Sequence, residues 1–141
     1  MIARSRQQGL TLMELMIVVG IIAIIAMVAY PSLSGYLQKG YDTEAIEEIS
    51  SLEVVLANYL IENGTYVNAG DTAAIETNYN WEPATQTPSF DYEVDANSNC
   101  PAGINVCYTI TATGKADTTV EDRTIVKTSW GSLTVAGTKL R

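Results

Sequence analysis

The chain has 141 residues and 15.2 kDa, the length of one domain, and 47% of it is apolar, so it is globular or membrane-associated rather than disordered. It contains no histidine and only two cysteines, which removes Ser-His, Cys-His and His-metal chemistry and any all-cysteine zinc or iron–sulfur site. The formal charge is −8, a poor match to the phosphates that supply most non-specific nucleic-acid affinity.

Residues 1–9 are polar and basic, with Arg4 and Arg6. From Leu10 to Tyr30 the only charge is Glu14. Those twenty-one residues, as a helix, span about 31 Å at about 1.5 Å each, close to the hydrocarbon thickness of a bilayer. Basic residues before the run and none soon after it fit a positive-inside orientation, with the remainder outside the cytoplasm. A cleaved secretory signal would want small residues at spacing two near the end of the run, but Gly20, Ala23, Ala26 and Ala29 recur at spacing three. A plain single-pass anchor accounts for everything except Glu14. A charge in a spanning helix costs up to about 2.5–3.5 kcal/mol at the centre, less near an end, and wants a partner that the apolar neighbours cannot supply.

The segment Gly9-Leu10-Thr11-Leu12-Met13-Glu14-Leu15 followed by Met16 to Ile24 resembles the class III signal of type IV pilins. The resemblance implies cleavage after Gly9 by a prepilin peptidase, N-methylation of the new terminus at Leu10, an assembly role for Glu14, and a helix that continues through Pro31. Leu10 departs from the phenylalanine usual at that position, and Met13 from a branched aliphatic. Removal of residues 1–9 would create a cationic amine on Leu10 as a partner for Glu14, in the same chain or in an adjacent subunit. An unpaired carboxylate is strongly penalised in a low-dielectric bundle, so this pair would set helix register. Gly20, Ala23 and Ala26 share roughly one helix face and would let neighbouring helices approach closely. Pro31 lacks the N–H that would bond Met27, so a kinked continuous helix is expected, the competing reading being a second helix that begins at Pro31.

Beyond Pro31, Ile46, Ile49, Leu52, Leu56, Tyr59 and Leu60 recur at spacings of three and four and make one apolar stripe, with Glu47, Glu48 and Glu53 elsewhere. Asn63-Gly64 reads as the helix stop. Asn63-Gly64-Thr65 also matches a glycosylation sequon, although capping is the simpler role in a bacterial chain. A helix from Leu10 to Asn63 would be about 80 Å long, too long to bury in one small domain, so it must dock into membrane or other subunits. Val67 to Ser89 reads as a long polar loop in which Tyr79 and Trp81 pin the chain to the core. Period-two alternation then predicts strands at Phe90–Val94, Val106–Ala112, Thr124–Ser129 and Ser132–Ala136, with Gly114 beginning a turn.

Cys100 and Cys107 lie in what would be an exported head and are expected to form a disulfide, worth about 2–3 kcal/mol for an eight-residue loop in the chain-entropy model. The family more often staples a longer segment ending near the C-terminus. Asp95-Ala-Asn97-Ser-Asn99 starts like a calcium loop but lacks the following glycine and the glutamate at the twelfth position, so it reads as a turn. Residues 42–95 carry twelve acidic and no basic residues, and residues 115–141 carry Lys115, Arg123, Lys127, Lys139 and Arg141. Either this is a solvated surface, or it is self-complementary electrostatics between copies.

The fold expected is α+β: a long kinked N-terminal helix, apolar in its first half, packed on a four-stranded antiparallel sheet, the pilin fold. The divisions are 1–9 leader, 10–30 transmembrane and filament-core helix, 31–63 amphipathic half, and 64–141 globular head. Ala29-Tyr-Pro-Ser32, Glu62-Asn-Gly-Thr-Tyr66 and Cys107-Tyr-Thr-Ile-Thr-Ala-Thr-Gly-Lys115 look like PilE-like minor pilins. The resemblance implies a structural subunit of a retractile type IV pilus serving twitching motility, adhesion or DNA uptake. Its partners would be other pilin subunits, the prepilin peptidase and methyltransferase, and inner-membrane assembly machinery. It would sit in the bacterial inner membrane with its head in the periplasm, then in an extracellular filament. Alternatives are a type II secretion pseudopilin, a major pilin and a DNA-binding pilin. No catalytic group, metal or cofactor is expected.

Overall fold

In the computed structural model, which describes residues 11–116 and 118–137, the apolar run and the amphipathic stretch form one helix, α1 (Leu12–Asn63). The chain forms two compact units, Met1–Tyr36 and Leu37–Arg141. In the first, Leu12–Ala29 has a mean hydropathy of 2.8 with nothing buried and is long and apolar enough to cross a membrane. The helical backbone passes through Pro31 without a break, so a separate helix starting there is not what forms. Gly9 and Leu10 lie outside the described residues.

In the second unit α1 ends where an αL residue is available: Gly64 has φ +75°, and its N–H donates to the Leu60 carbonyl at 2.8 Å. The sheet is an antiparallel meander in the order β1 (Phe90–Ala96), β2 (Tyr108–Gly114), β3 (Thr124–Thr128), β4 (Leu133–Ala136). All four strands differ from the expected bounds by one or two residues, β1 running on to Ala96, β3 stopping at Thr128 and β4 starting at Leu133. Val106 stays outside β2, in the loop closed by Cys100 and Cys107, and Gly114 is the last residue of β2. A Cβ at Gly114 would overlap the Val120 carbonyl, so the 115–123 connection can fold back only over a glycine.

Alternation along β1 and β2 aims Phe90, Tyr92, Val94, Tyr108, Ile110 and Ala112 inward, where they meet Ala45, Ile49, Leu52 and Leu56 of α1. Ile46, Tyr59 and Leu60 flank this core half-buried. Glu48 and Glu53 lie off this stripe as expected, yet neither is left to solvent. Glu48 is 7% exposed because loop 81–89 covers its flank of the helix and gives it the Ala84 N–H at 2.9 Å. Glu53 is half-buried and accepts from the Tyr108 hydroxyl at 3.1 Å.

The stretch 67–89 is not all loop. Thr72–Tyr79 forms α2, capped at its start by Asp71, whose carboxylate accepts from Ala74 N–H at 2.7 Å, and at its end by Asn80 in the αL region. Tyr79 and Trp81 are buried and hold this stretch down. The Tyr79 hydroxyl accepts from Val67 N–H at 2.8 Å and donates to the Val67 carbonyl, and the Trp81 indole N–H donates to Ser51 Oγ at 2.8 Å. Edge-on ring contacts join Tyr59 to Tyr79 and Trp81 to Tyr92, with centroids 4.6 and 5.4 Å apart.

Burial raises four tyrosine hydroxyls above their ordinary range. Tyr66 is raised by burial alone, and Tyr79 by burial against a lowering from its bond to Val67. Tyr92 is raised by burial, then by the charges of Glu48, Glu44 and Asp91. Tyr108 is raised by burial, then by the charge and hydrogen bond of Glu53. A hydroxyl whose folded pKa is raised favours the folded state below the unfolded value near pH 10, and that contribution is lost as pH climbs through the folded value.

Two outcomes are expected. Leu52→Ala should destabilise by about 2–5 kcal/mol in denaturant unfolding followed by tryptophan fluorescence, whereas Val54→Ala, on the exposed face, should change it by under about 0.5 kcal/mol. In a spectrophotometric titration above pH 10, part of the tyrosinate signal should appear only together with loss of tertiary structure. Tyr92→Phe should move that alkaline transition upward, because the Tyr92 hydroxyl is buried with no hydrogen-bond partner among the described residues.

Candidate functional site

Glu14 is the single charge in the exposed apolar segment, and the structure gives it a partner within the chain. Thr11 precedes the first helical residue, Leu12, and occupies the N-cap position. The Thr11 N–H and hydroxyl both donate to Glu14 Oε2 at 3.3 Å, and the Glu14 N–H donates to Thr11 Oγ1 at 3.2 Å. This is a reciprocal capping box, and its signal, Thr-x-x-Glu, stands in the sequence at 11–14 but was read there only as part of the leader motif. The carboxylate therefore sits against the N-terminus of α1, where the helix dipole favours negative charge and where an amine on Leu10 would be one residue from Thr11. Around it Leu12, Met13, Leu15 and Met16 are all exposed.

Among the described residues, the C-terminal basic side chains each pair with a carboxylate of the same chain. Arg123 grips Asp42 of α1 with two bonds, Nε to Oδ1 at 2.8 Å and Nη2 to Oδ2 at 2.5 Å, both side chains being mostly buried. The Asp42 hydrogen bond, joined by its charge, raises the Arg123 guanidinium further against the opposing effect of burial. With its amide turned to present oxygen, Gln38 accepts from Arg123 Nη1 at 2.6 Å. Lys115 meets Asp91 at 3.4 Å and Lys127 meets Glu53 at 3.8 Å. Acidic 42–95 and basic 115–127 are thus complementary within one chain. Lys139 and Arg141 lie outside the described residues.

Cys100 and Cys107 are joined in a disulfide with Cα atoms 5.7 Å apart. The segment beginning at Asp95 is a turn: Asn97 and Asn99 have φ 59° and 54°, Ser98 Oγ donates to the Asp95 carboxylate, and the Asn97 amide donates to the Tyr66 carbonyl at 3.0 Å. Its polar side chains are consumed locally. An open groove of about 540 Å³ between α2 and loop 82–88 presents Glu76 and Glu82, and no cluster of three metal-ligating side chains occurs among the described residues.

Comparison with known proteins gives a match of residues 4–30 to the prokaryotic N-terminal methylation motif. The chain is 38% identical over 61 residues to the type II secretion system core protein G of Pectobacterium carotovorum subsp. carotovorum, covering 43% of this chain and 39% of that one. It is 38% identical over 63 residues to a fimbrial protein of Pseudomonas aeruginosa, covering 45% and 41%. It is 37% identical over 73 residues to the type IV major fimbrial protein FimA of Dichelobacter nodosus, covering 52% and 44%. The chain thus spans about half or less of the length of the curated relatives it matches. No solved structure matches it significantly.

Proposed function

We propose, from the premise that motif, relatives and fold support a type IV pilin family, that this chain is a structural subunit of a pilus-type filament and not an enzyme. The observation that carries the reading is the Leu12–Ala29 helix, apolar on every side and wholly exposed, with one carboxylate at its N-terminal end. A prepilin peptidase would remove residues 1–9 after Gly9, and Leu10 would be methylated. The Leu10 amine would then join Thr11 at the Glu14 carboxylate, either in the same chain or from the next subunit. Residues 10–30 would anchor the subunit in the inner membrane and later form filament core, with Pro31 kinking the helix, 31–63 forming the amphipathic half and 64–141 the head. The partners would be other pilin subunits and the inner-membrane assembly machinery.

The finer choice is a minor pilin of a retractile, extracellular type IV pilus. A pseudopilin of a type II secretion system is the second reading, favoured by the relatives named core protein G. A DNA-binding pilin is the weakest, because Lys115, Arg123 and Lys127 each already hold a carboxylate of the same chain.

Mass spectrometry of the mature chain should find a methylated Leu10 terminus; a chain still beginning at Met1 in assembled fibres would overturn the proposal. Glu14→Ala should leave membrane insertion intact, because it removes only a charge from the apolar segment, yet reduce incorporation into filaments at least about tenfold, as loss of a paired charge in a low-dielectric bundle requires. Normal incorporation of that variant would remove Glu14 from assembly.

A further inference from the structure

The two edges of the sheet are treated oppositely. On the outer edge of β1, the N–H groups of Tyr92, Val94 and Ala96 are each taken up by the preceding segment: Thr72 Oγ1 at 3.0 Å, the Ala69 carbonyl at 2.8 Å and Asn68 Oδ1 at 2.6 Å. Nothing comparable covers β4 among the described residues. The Thr128 N–H donates to the Ser132 carbonyl at 2.9 Å, and the ladder continues through Val126↔Thr134 and Thr124↔Ala136. Residues 132, 134 and 136 therefore bond inward to β3, and the N–H and C=O of Leu133 and Val135 point outward, four backbone groups without a strand beside them.

Exposed edges are ordinarily protected by brevity, lysine, proline, bulges or an inward charge, and of these the four-residue β4 has brevity alone. From Ser129 to Gly137 there is no charge and no proline, in a chain of net charge −8. Leu133 and Val135, 44% and 40% exposed, lie on the face shared with Lys127 and the buried Ile125, their register partners, and so extend the apolar face of the sheet past the reach of the core. The sequence Gly131-Ser-Leu-Thr-Val-Ala-Gly137 is also nearly symmetric in side-chain size about Thr134: glycine, small, branched, threonine, branched, small, glycine.

We propose that β4 pairs edge to edge with β4 of a second copy, antiparallel, about a two-fold axis at Thr134. Leu133 of each chain then exchanges both backbone hydrogen bonds with Val135 of the other, and the two apolar pairs continue one face. The neutrality of 129–137 permits this approach between acidic chains, and the symmetry of size about Thr134 selects a second copy rather than an unrelated strand. The contact is isologous and closes on itself, so it does not propagate a filament; it joins two heads, independently of the helix-driven assembly proposed above. Four residues make a weak pair alone, but anchoring in a membrane or fibre supplies the effective concentration that holds it.

The test uses the full-length chain in its membrane. Cys100 and Cys107 are paired and no thiol is free, so an introduced cysteine is a clean probe. Two Thr134→Cys positions would face each other in a non-hydrogen-bonded pair, Cα atoms about 4.5 Å apart, within disulfide range, while two Ser132→Cys positions would be about 14 Å apart. Under mild oxidation Thr134→Cys should give about tenfold or more reducible dimer over Ser132→Cys, a contrast set by those separations. Chains bearing Ser132→Cys should cross-link to chains bearing Ala136→Cys, which checks register if Thr134→Cys fails to accumulate. Adding Val135→Pro, which deletes an outward N–H and leaves the β3 ladder intact, should abolish the dimer. Equal yields at 132 and 134, no mixed 132–136 product, or a dimer that survives Val135→Pro would each overturn the pairing. These readouts precede fibre assembly, so they stand apart from the Leu10 and Glu14 tests.

Discussion

A helix whose apolar surface its own chain does not cover is the constraint on which the molecule depends. Thirteen large apolar side chains between Leu12 and Val28 are exposed. At about 1.5–3 kcal/mol for each on burial, the gross gain from covering them is on the order of 20–40 kcal/mol, more than the net stability of a typical domain. Water cannot be their lasting environment, and a bilayer or a bundle of like helices can. The capping box at Thr11 and Glu14 suits either, since it satisfies the first amides of the helix where no solvent can do so. It also fixes a carboxylate at one height on the rod, which is what a register mark requires.

The amphipathic half of α1 has a different task. Ala45, Ile49, Leu52 and Leu56 form the floor on which the meander lies, and the polar residues flanking that floor bind the rest of the head to it. Glu48 and Ser51 hold loop 81–89 on one side through Ala84 and Trp81. Asp42 and Glu53 hold the sheet on the other through Arg123, Tyr108 and Lys127. The acidic excess of residues 42–95 is therefore partly an internal matching to the cations of the late strands. This weakens any reading that needs those cations free, DNA capture first.

The meander was legible in the sequence because strand alternation is a strong local signal: Phe90, Tyr92 and Val94, then Tyr108, Ile110 and Ala112, point one way without help from elsewhere. The helix stop at Asn63 was legible for the same reason, since Gly64 is the cheapest occupant of its φ. Helix α2 was not, although Asp71 and Asn80 are capping residues, because eight residues hold too little period to stand out from a polar stretch. The burial of Glu48 was not legible, because periodicity places a side chain off the apolar stripe but does not reveal that a loop thirty-six positions away will fold over it. At the candidate site, the leader motif drew attention to Glu14 alone. Its bonds to Thr11 obey a local rule that the larger resemblance overshadowed.

The asymmetry of the sheet edges follows from chain order. The segment 68–72 precedes β1, so it lies beside that strand and supplies acceptors to three consecutive outward N–H groups. β4 is the last strand, and no described segment follows it to do the same. Without charge or proline, that edge has only its shortness to protect it. Brevity limits its hazard: four residues offer few bonds to a chance partner, whereas a copy anchored alongside, as the proposed function has it, would meet the same four residues in matching register. The edge is thereby weak toward strangers and selective toward its own kind, a distinction that a longer or more apolar strand would lose.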